Sequence, residues 1–192
     1  MFADLDIAAA KPGQIIARGV CRFLIDEGLA PVTEFSPASG LRTDVTALAR
    51  DGEIWVVECK SSLADFRADA KWRGYLDYCD RFFFAVPGGF PEEVLPADEG
   101  LIFADAFGAE IARDAAARPM AAARRKAQTL RIARASAIRL RAGLDPGLAG
   151  LLARPAASSF GGEDEPGGQS LTGRGFDLEP GGDDSGEPHG VR

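Results

Sequence analysis

The segment from Asp44 to Lys60, DVTALARDGEIWVVECK, constrains the fold most, because it reads as two extended runs joined by a tight turn. β-Branched, aromatic and aliphatic residues flank Arg50-Asp51-Gly52, which is typical of an antiparallel hairpin. Alternation along the second strand places Glu58 and Lys60 on one face and the Cys59 thiol on the other. The turn therefore decides which side chains of the first strand accompany Glu58.

Two turn lengths give two different arrangements. A three-residue loop, Arg50-Asp51-Gly52 with the glycine in the left-handed conformation, pairs Ala49 with Glu53 and Asp44 with Glu58. A two-residue turn would pair Asp44 with Cys59 and separate the acids. We predict the three-residue loop, because glycine commonly closes such loops and because the result makes chemical sense.

Neighbouring carboxylates repel each other unless a cation or a proton intervenes. Oxygen ligands suit Mg²⁺ or Mn²⁺, so the sequence predicts a metal site formed by Asp44, Glu58 and the backbone carbonyl of Cys59. Lys60 would stand beside the metal-bound water and stabilise a phosphorane-like transition state. Asp44, Glu58 and Lys60 are therefore the candidate catalytic residues for phosphodiester hydrolysis. Solvated strand charges or a Glu58–Lys60 ion pair are the simpler alternatives.

Charge is unevenly distributed along the 192 residues. Residues 1–142 contain 19 Lys and Arg against 20 Asp and Glu, whereas residues 143–192 contain 3 against 9. The second segment also has 13 glycines and 5 prolines, too little apolar surface to offset the entropy of ordering. We predict one folded domain over 1–142 and a disordered, acidic, Gly/Pro-rich tail over 143–192.

Cysteine and histidine usage excludes several classes of chemistry. Three widely spaced cysteines without a CxxC motif indicate buried thiols in a reducing compartment. The single histidine, His189, makes zinc binding and Ser-His or Cys-His catalysis improbable. Asp4 and Asp6 open the chain and no apolar run approaches a membrane span, so we expect a cytoplasmic, nucleoid-associated protein without membrane contact.

The remaining elements follow from periodicity and turn signals. Glu34, in the first predicted strand, is a candidate third acid, although a solvated strand charge is the more ordinary interpretation. We predict helices over 12–28, 62–79 and 119–142, strands over 30–36 and 81–86, a helical turn over 91–95 and a closing hairpin over 100–106 and 109–113.

Two groups of residues are candidates for binding a phosphate backbone. On the helix predicted after Lys60, one stripe carries cations and tyrosines at helical spacing. From Arg118 to Arg141 there are eight basic residues and no acidic one, which is unusual for a helix that is merely solvated. The candidate DNA-binding residues are Arg67, Lys71, Tyr75, Arg124, Arg125, Lys126 and Arg131. A solvated edge and packing against the acidic tail are the alternatives.

The order α-β-β-β-α-β, with an acid on the second strand and Glu-Cys-Lys on the third, resembles the PD-(D/E)xK, or restriction-endonuclease-like, superfamily. Asp44 matches its first acid and Glu58-Cys59-Lys60 its (D/E)xK motif, while Thr43 stands where the motif has Pro. Lys71 and Tyr75 resemble a fourth motif, Gln-xxx-Tyr, with Lys in place of Gln. The resemblance implies an α/β fold with this core, to which the remaining predicted elements add a hairpin and a C-terminal basic helix.

More narrowly, the chain resembles the MmcB-type DNA repair family. The similarity covers about residues 12–140 and is carried by Arg42-Thr43-Asp44-Val45, IWVVECKSSLADFRADAKW, YCDRFFFAV and ARRK. It implies a role in DNA repair with a nuclease-like fold. Together with the candidate metal site, it leads us to expect a Mg²⁺- or Mn²⁺-dependent DNA endonuclease. Branched, flapped or damaged DNA is its candidate substrate, and a second copy of the chain or other repair proteins are its candidate partners. A DNA-binding adaptor that keeps the fold without cleaving is the alternative.

Overall fold

A computed structural model describes residues 7–38 and 40–148. In chain order the described elements are α1 (Pro12–Asp26), β1 (Ala30–Phe35), β2 (Thr43–Leu48), β3 (Ile54–Cys59), α2 (Leu63–Ala68), β4 (Arg81–Val86), β5 (Gly100–Ala104), β6 (Ala109–Arg113) and α3 (Ala122–Leu144). Short 3₁₀ helices cover Trp72–Tyr78, Glu92–Val94 and Pro146–Leu148. The first six residues of the predicted tail, 143–148, cover the end of α3 and the last 3₁₀ helix. From residue 149 onward the predicted disorder falls outside the described part of the chain.

The six strands form one mixed sheet in the order β1-β2-β3-β4-β5-β6. β1, β2 and β3 are antiparallel neighbours, β3-β4 and β4-β5 are parallel, and β5 and β6 close the sheet as an antiparallel pair. The predicted α/β class, the order of elements and the closing hairpin are confirmed. Within the described ranges, no helix is long and apolar enough to cross a membrane.

Each face of the sheet has its own core. On one face α1 packs through Val20 and Leu24 against Val57 and Phe83. Gly19 lets this helix approach the β5–β6 turn, because a Cβ there would lie 2.0 Å from the Asp105 carbonyl oxygen. The opposite face is covered by the 3₁₀ helix Trp72–Tyr78 and by α3. The 3₁₀ helix packs through Trp72 and Tyr75 against Phe82 and Phe84. Helix α3 packs through Ile132 against Phe35 and Ile54.

The hairpin has the predicted three-residue loop. Val45 pairs with Val57, and the Ala49 amide donates to the Glu53 carbonyl at 2.9 Å. Gly52 has a φ of +88°, a backbone conformation that glycine adopts without steric cost. The predicted register is therefore confirmed, and Asp44 lies opposite Glu58 at the ends of neighbouring strands.

The continuous helix predicted over 62–79 is wrong. Ser62 caps the helix as expected, accepting a bond from the Asp65 amide at 3.2 Å, but α2 ends at Ala68. The Asp69 carboxylate then accepts a bond from the Lys71 amide at 2.8 Å, an Asx-type turn that competes with the helix. Beyond it the chain winds as a 3₁₀ helix, and Trp72 packs there with its ring centroid 5.6 Å from that of Phe82.

Candidate functional site

At one end of the sheet, the side chains of Asp44 and Glu58 each accept a hydrogen bond from the backbone of the other's strand. The Asp44 amide donates to Glu58 Oε1 at 3.2 Å, and the Cys59 amide donates to Asp44 Oδ2 at 2.8 Å. Both contacts arise because the register places the two residues side by side where β2 begins and β3 ends. The Cys59 side chain points into the core beneath α1, as its predicted orientation requires.

Lys60 continues β3 and its ammonium lies among carboxylates. Its amide donates to the Ala85 carbonyl at 2.8 Å, which keeps the residue in the line of the strand. Nζ lies 2.5 Å from Asp69 Oδ2 and 3.6 Å from Glu58 Oε2. Lys60 and Glu58 are only 5% and 3% exposed, so these charges are largely withdrawn from solvent. Sequence reasoning missed Asp69, because a continuous helix would carry it elsewhere.

The protonation of these groups reflects their burial. Burial, reinforced by the charge of Asp44, raises the pKa of Glu58 to about 8. Burial likewise raises the pKa of Asp44. Burial alone would lower the pKa of Lys60, but the hydrogen bond to Asp69 and the nearby carboxylates outweigh it and raise that pKa. The Lys60 charge, which Asp69 shares, therefore does not offset the burial of the two carboxyl groups.

Glu58 makes stability depend on pH when no divalent ion is present. Its pKa is 4.5 without the fold and about 8 within it, so the folded state binds the extra proton between these values. The contribution of Glu58 to stability therefore falls as pH rises from about 4.5 to about 8. We expect Glu58→Gln to remove most of this fall, measured as Tm in chelator across that range. A wild-type Tm no more sensitive to pH than the variant's would contradict this expectation.

A cavity of about 470 Å³ on the α2 side brings several predicted residues together. Its lining includes Asp44, Glu58 and Lys60 together with Lys71 and Tyr75. The Tyr75 hydroxyl donates to the Arg42 carbonyl at 3.0 Å, and burial raises the pKa of the phenol to about 12. Tyr75 therefore stays neutral and supports the backbone beside Asp44, while Arg67, on α2, is exposed and does not line this cavity.

A second cavity, of about 770 Å³, meets the first at Asp44 and Lys60 and extends toward α1. Glu34 lines it from β1, where the register with β2 puts it opposite Asp44. The candidate third acid is thus near the carboxylate pair, but Arg42 Nε lies 2.9 Å from its Oε2. Glu34 also has a φ of 48°, which is uncommon for a residue with a side chain.

The basic residues of α3 lie away from both cavities, and most contact acceptors of the protein itself. Arg125 binds the Asp80 carboxylate through two bonds of 2.6 and 2.7 Å. Arg124 donates to the Asp77 carbonyl at 3.0 Å, and Arg131 donates to the Pro37 carbonyl. These arginines fasten α3 to the 3₁₀ helix Trp72–Tyr78 and to loops at the ends of the strands. Lys126, in contrast, has no hydrogen bond or ion pair within the described residues.

The donor atoms present fit a hard divalent cation. Within residues 7–38 and 40–148 no group of three His, Cys, Asp or Glu side chains is placed to hold a metal. Mg²⁺, however, usually takes one or two carboxylates and completes its shell with water and phosphate oxygens. Asp44 and Glu58 offer two such carboxylates, buried and without a full countercharge.

Fold and site together define a mixed α/β protein with two carboxylates and a lysine at one end of its sheet. The chain matches the family model of the MmcB-like DNA repair proteins over residues 4–147, and it therefore belongs to that family. This membership supports a role in DNA repair.

A solved protein of unknown function from Silicibacter pomeroyi is 55% identical, with a TM-score of 0.71. The match covers 72% of this chain and 95% of that protein. No curated protein matches the chain.

Proposed function

We propose that the protein is a Mg²⁺- or Mn²⁺-dependent DNA endonuclease acting in repair. The observation that carries the proposal is the placement of Asp44 and Glu58 side by side on adjacent strands, with the Lys60 ammonium 3.6 Å from Glu58 Oε2. Membership in a DNA repair family supports DNA as the substrate. The resemblance to PD-(D/E)xK nucleases supports hydrolysis as the reaction.

Asp44 and Glu58 would hold the ion, with the Cys59 carbonyl as a further ligand. When bound, a divalent ion polarises a phosphoryl oxygen and lowers the pKa of a coordinated water. Both carboxyl groups must be deprotonated to serve as ligands, so cation binding displaces the proton that the raised pKa of Glu58 favours. Affinity for the ion is therefore expected to increase with pH.

Lys60 supplies the positive charge that the transition state requires. Phosphodiester hydrolysis builds negative charge on the phosphoryl oxygens, and a preorganised ammonium stabilises that charge without reorganisation. The bond that Nζ donates to Asp69 Oδ2 fixes the direction of the ammonium and keeps Lys60 protonated. Lys71 lines the same cavity with an exposed side chain and is placed to contact a backbone phosphate.

A DNA-binding adaptor without nuclease activity is the second candidate, and one observation favours it. The Lys60 ammonium lies 2.5 Å from Asp69 Oδ2, so the described arrangement commits it to a protein carboxylate rather than leaving it free for a phosphate. In the adaptor, Asp44, Glu58 and Lys60 would act only as a buried polar network.

Incubation with plasmid, nicked, flapped and branched DNA at millimolar Mn²⁺ distinguishes the two candidates. The endonuclease gives products that disappear when a chelator is added before the DNA. The adaptor gives a salt-dependent gel shift without products. Cleavage that persists in chelator would contradict the metal-dependent mechanism.

A further inference from the structure

We infer that the 770 Å³ cavity between α1, β1 and β2 is a subsite for the DNA backbone. Lys11 and Arg42 bind there a phosphate next to the cleavage position. The Glu34 carboxylate competes with that phosphate for Arg42. This inference rests on the proposed action on DNA. It assigns phosphate binding to the α1 side of the site, where the sequence analysis placed none of the DNA-binding residues.

The cavity combines positively charged side chains with direct access to Asp44, one member of the carboxylate pair. Lys11, Arg18 and Arg42 line it together with Asp44 and Lys60, so a strand lying in it passes the proposed reaction centre. The Lys11 side chain is exposed and has no hydrogen bond or ion pair within the described residues. Arg18 donates to the Ala106 carbonyl, which leaves Lys11 and Arg42 as the cations available to a ligand.

The first turn of α1 adds to this positive potential. Lys11 precedes the helix and Gly13 and Gln14 line the cavity, so the N-terminal end of a 15-residue helix faces it. The Gln14 and Ile15 amides already donate to the Lys11 carbonyl, so it is the helix dipole that favours an anion at this end. A phosphate in the cavity would meet this end of α1 on one side and Arg42 on the other.

Glu34 occupies the place of that anion in the described structure. Its carboxylate lies 2.9 Å from Arg42 Nε, and the two side chains are 50% and 69% exposed. An exposed ion pair of this kind contributes little stability, so a phosphate can replace the carboxylate at low energetic cost. Glu34 is also held in a left-handed conformation, a sparsely populated backbone state that clusters at ligand-binding sites.

The α3 helix is the other candidate for the main phosphate contacts. Most of its arginines, however, are already bonded to acceptors within the protein. Arg125 and Arg131 are bonded to Asp80 and to the Pro37 carbonyl, and Arg139 is bonded to the Thr33 and Glu34 carbonyls. Binding DNA through these residues would break contacts that fasten α3 to the sheet. Lys11 can bind a phosphate without breaking a contact, and Arg42 has to break only its exposed ion pair with Glu34.

The test measures binding of a labelled DNA duplex by the full chain in chelator, where no cleavage occurs. We expect Arg42→Gln and Lys11→Gln each to weaken binding about fivefold to tenfold near 0.1 M salt and to reduce the slope of log K against log salt by about 0.9. Glu34→Gln should strengthen binding, because it frees Arg42. Arg50→Gln is the matched control, since Arg50 is an exposed arginine in the turn at the other end of β2.

The expected changes in DNA affinity have opposite signs, which distinguishes the loss of a contact from the loss of the fold. An unfolded variant cannot bind more tightly, so a gain for Glu34→Gln together with losses for the two cation variants supports the subsite. Equal effects of Arg42→Gln and Arg50→Gln, or weaker binding by Glu34→Gln, would overturn it. If these shifts appear but wild type cleaves nothing with Mn²⁺, the nuclease proposal fails and the subsite stands.

Discussion

Asp44→Asn will lower the rate of DNA cleavage at least about 100-fold, the scale expected when a preorganised charge at a reaction centre is removed. The amide keeps the shape of the side chain and can still accept the bond from the Cys59 amide. It removes the negative charge, however, and with it a ligand for the cation. The initial rate of plasmid nicking at millimolar Mn²⁺ measures the effect, with DNA affinity in chelator as the second readout.

Asp65→Asn provides the matched control for this variant. Asp65 lines both cavities that meet at Asp44, but its carboxylate is engaged by the Ser61 amide and hydroxyl, which donate to it at 3.0 and 3.1 Å. We expect its cleavage rate to stay within about fivefold of wild type, the modest range of a mutation away from the chemistry. Wild-type cleavage by Asp44→Asn would remove Asp44 from the mechanism, and equal losses in both variants would indicate a general charge effect.

The hairpin could be predicted because its determinants are local. Arg50-Asp51-Gly52 supplies a glycine where the loop needs a positive φ, and Gly52 has that conformation. Once the loop length is fixed, a period of two residues decides every facing pair, including Asp44 with Glu58. Burial of Arg81–Val86 and the closing hairpin β5–β6 were predictable for the same reason, since short apolar runs and turn residues mark them.

The break after α2 could not be predicted, because the contacts that hold its local Asx-type turn at Asp69 are tertiary. The segment from Ala68 to Lys71 contains neither glycine nor proline, so local propensity allows a helix to continue. What stops it is the bond between Asp69 and Lys60 together with the packing of Trp72 on Phe82 and Phe84. These tertiary contacts also explain why Asp69 was missed as part of the site.

The basic helix illustrates a second kind of limit. Eight cations without an acid indicate an anionic partner, but sequence cannot tell whether that partner is DNA or the carbonyls of the same fold. Here Arg131 and Arg139 bind main-chain oxygens 94 and 106 residues away. Likewise, no local signal gives Glu34 its left-handed backbone, which is set where the edge strand β1 meets β2 and α3.

Asp80→Ala will lower the free energy of unfolding by about 3–5 kcal/mol, the usual cost of removing one partner from a buried ion pair. Asp80 is 2% exposed and accepts four bonds, from the Ile54 and Met120 amides and twice from the Arg125 guanidinium. It thereby joins β3 to α3 and to the segment leading into that helix. Alanine leaves two amides and a guanidinium without their acceptor, so the loss exceeds that of a surface pair.

Asp77→Ala is the matched control, because Asp77 lies three residues earlier, is 77% exposed and stands 3.6 Å from Arg124. We expect it to change stability by less than about 0.5 kcal/mol in urea denaturation. Although burial alone would raise the pKa of Asp80, the bonds from Arg125 and the two amides outweigh it and lower that pKa. The stabilisation is therefore complete above the usual pKa of 3.8 and is lost as pH falls through the lowered value. Equal urea midpoints for Asp80→Ala and Asp77→Ala at neutral pH would show that α3 is held by other contacts.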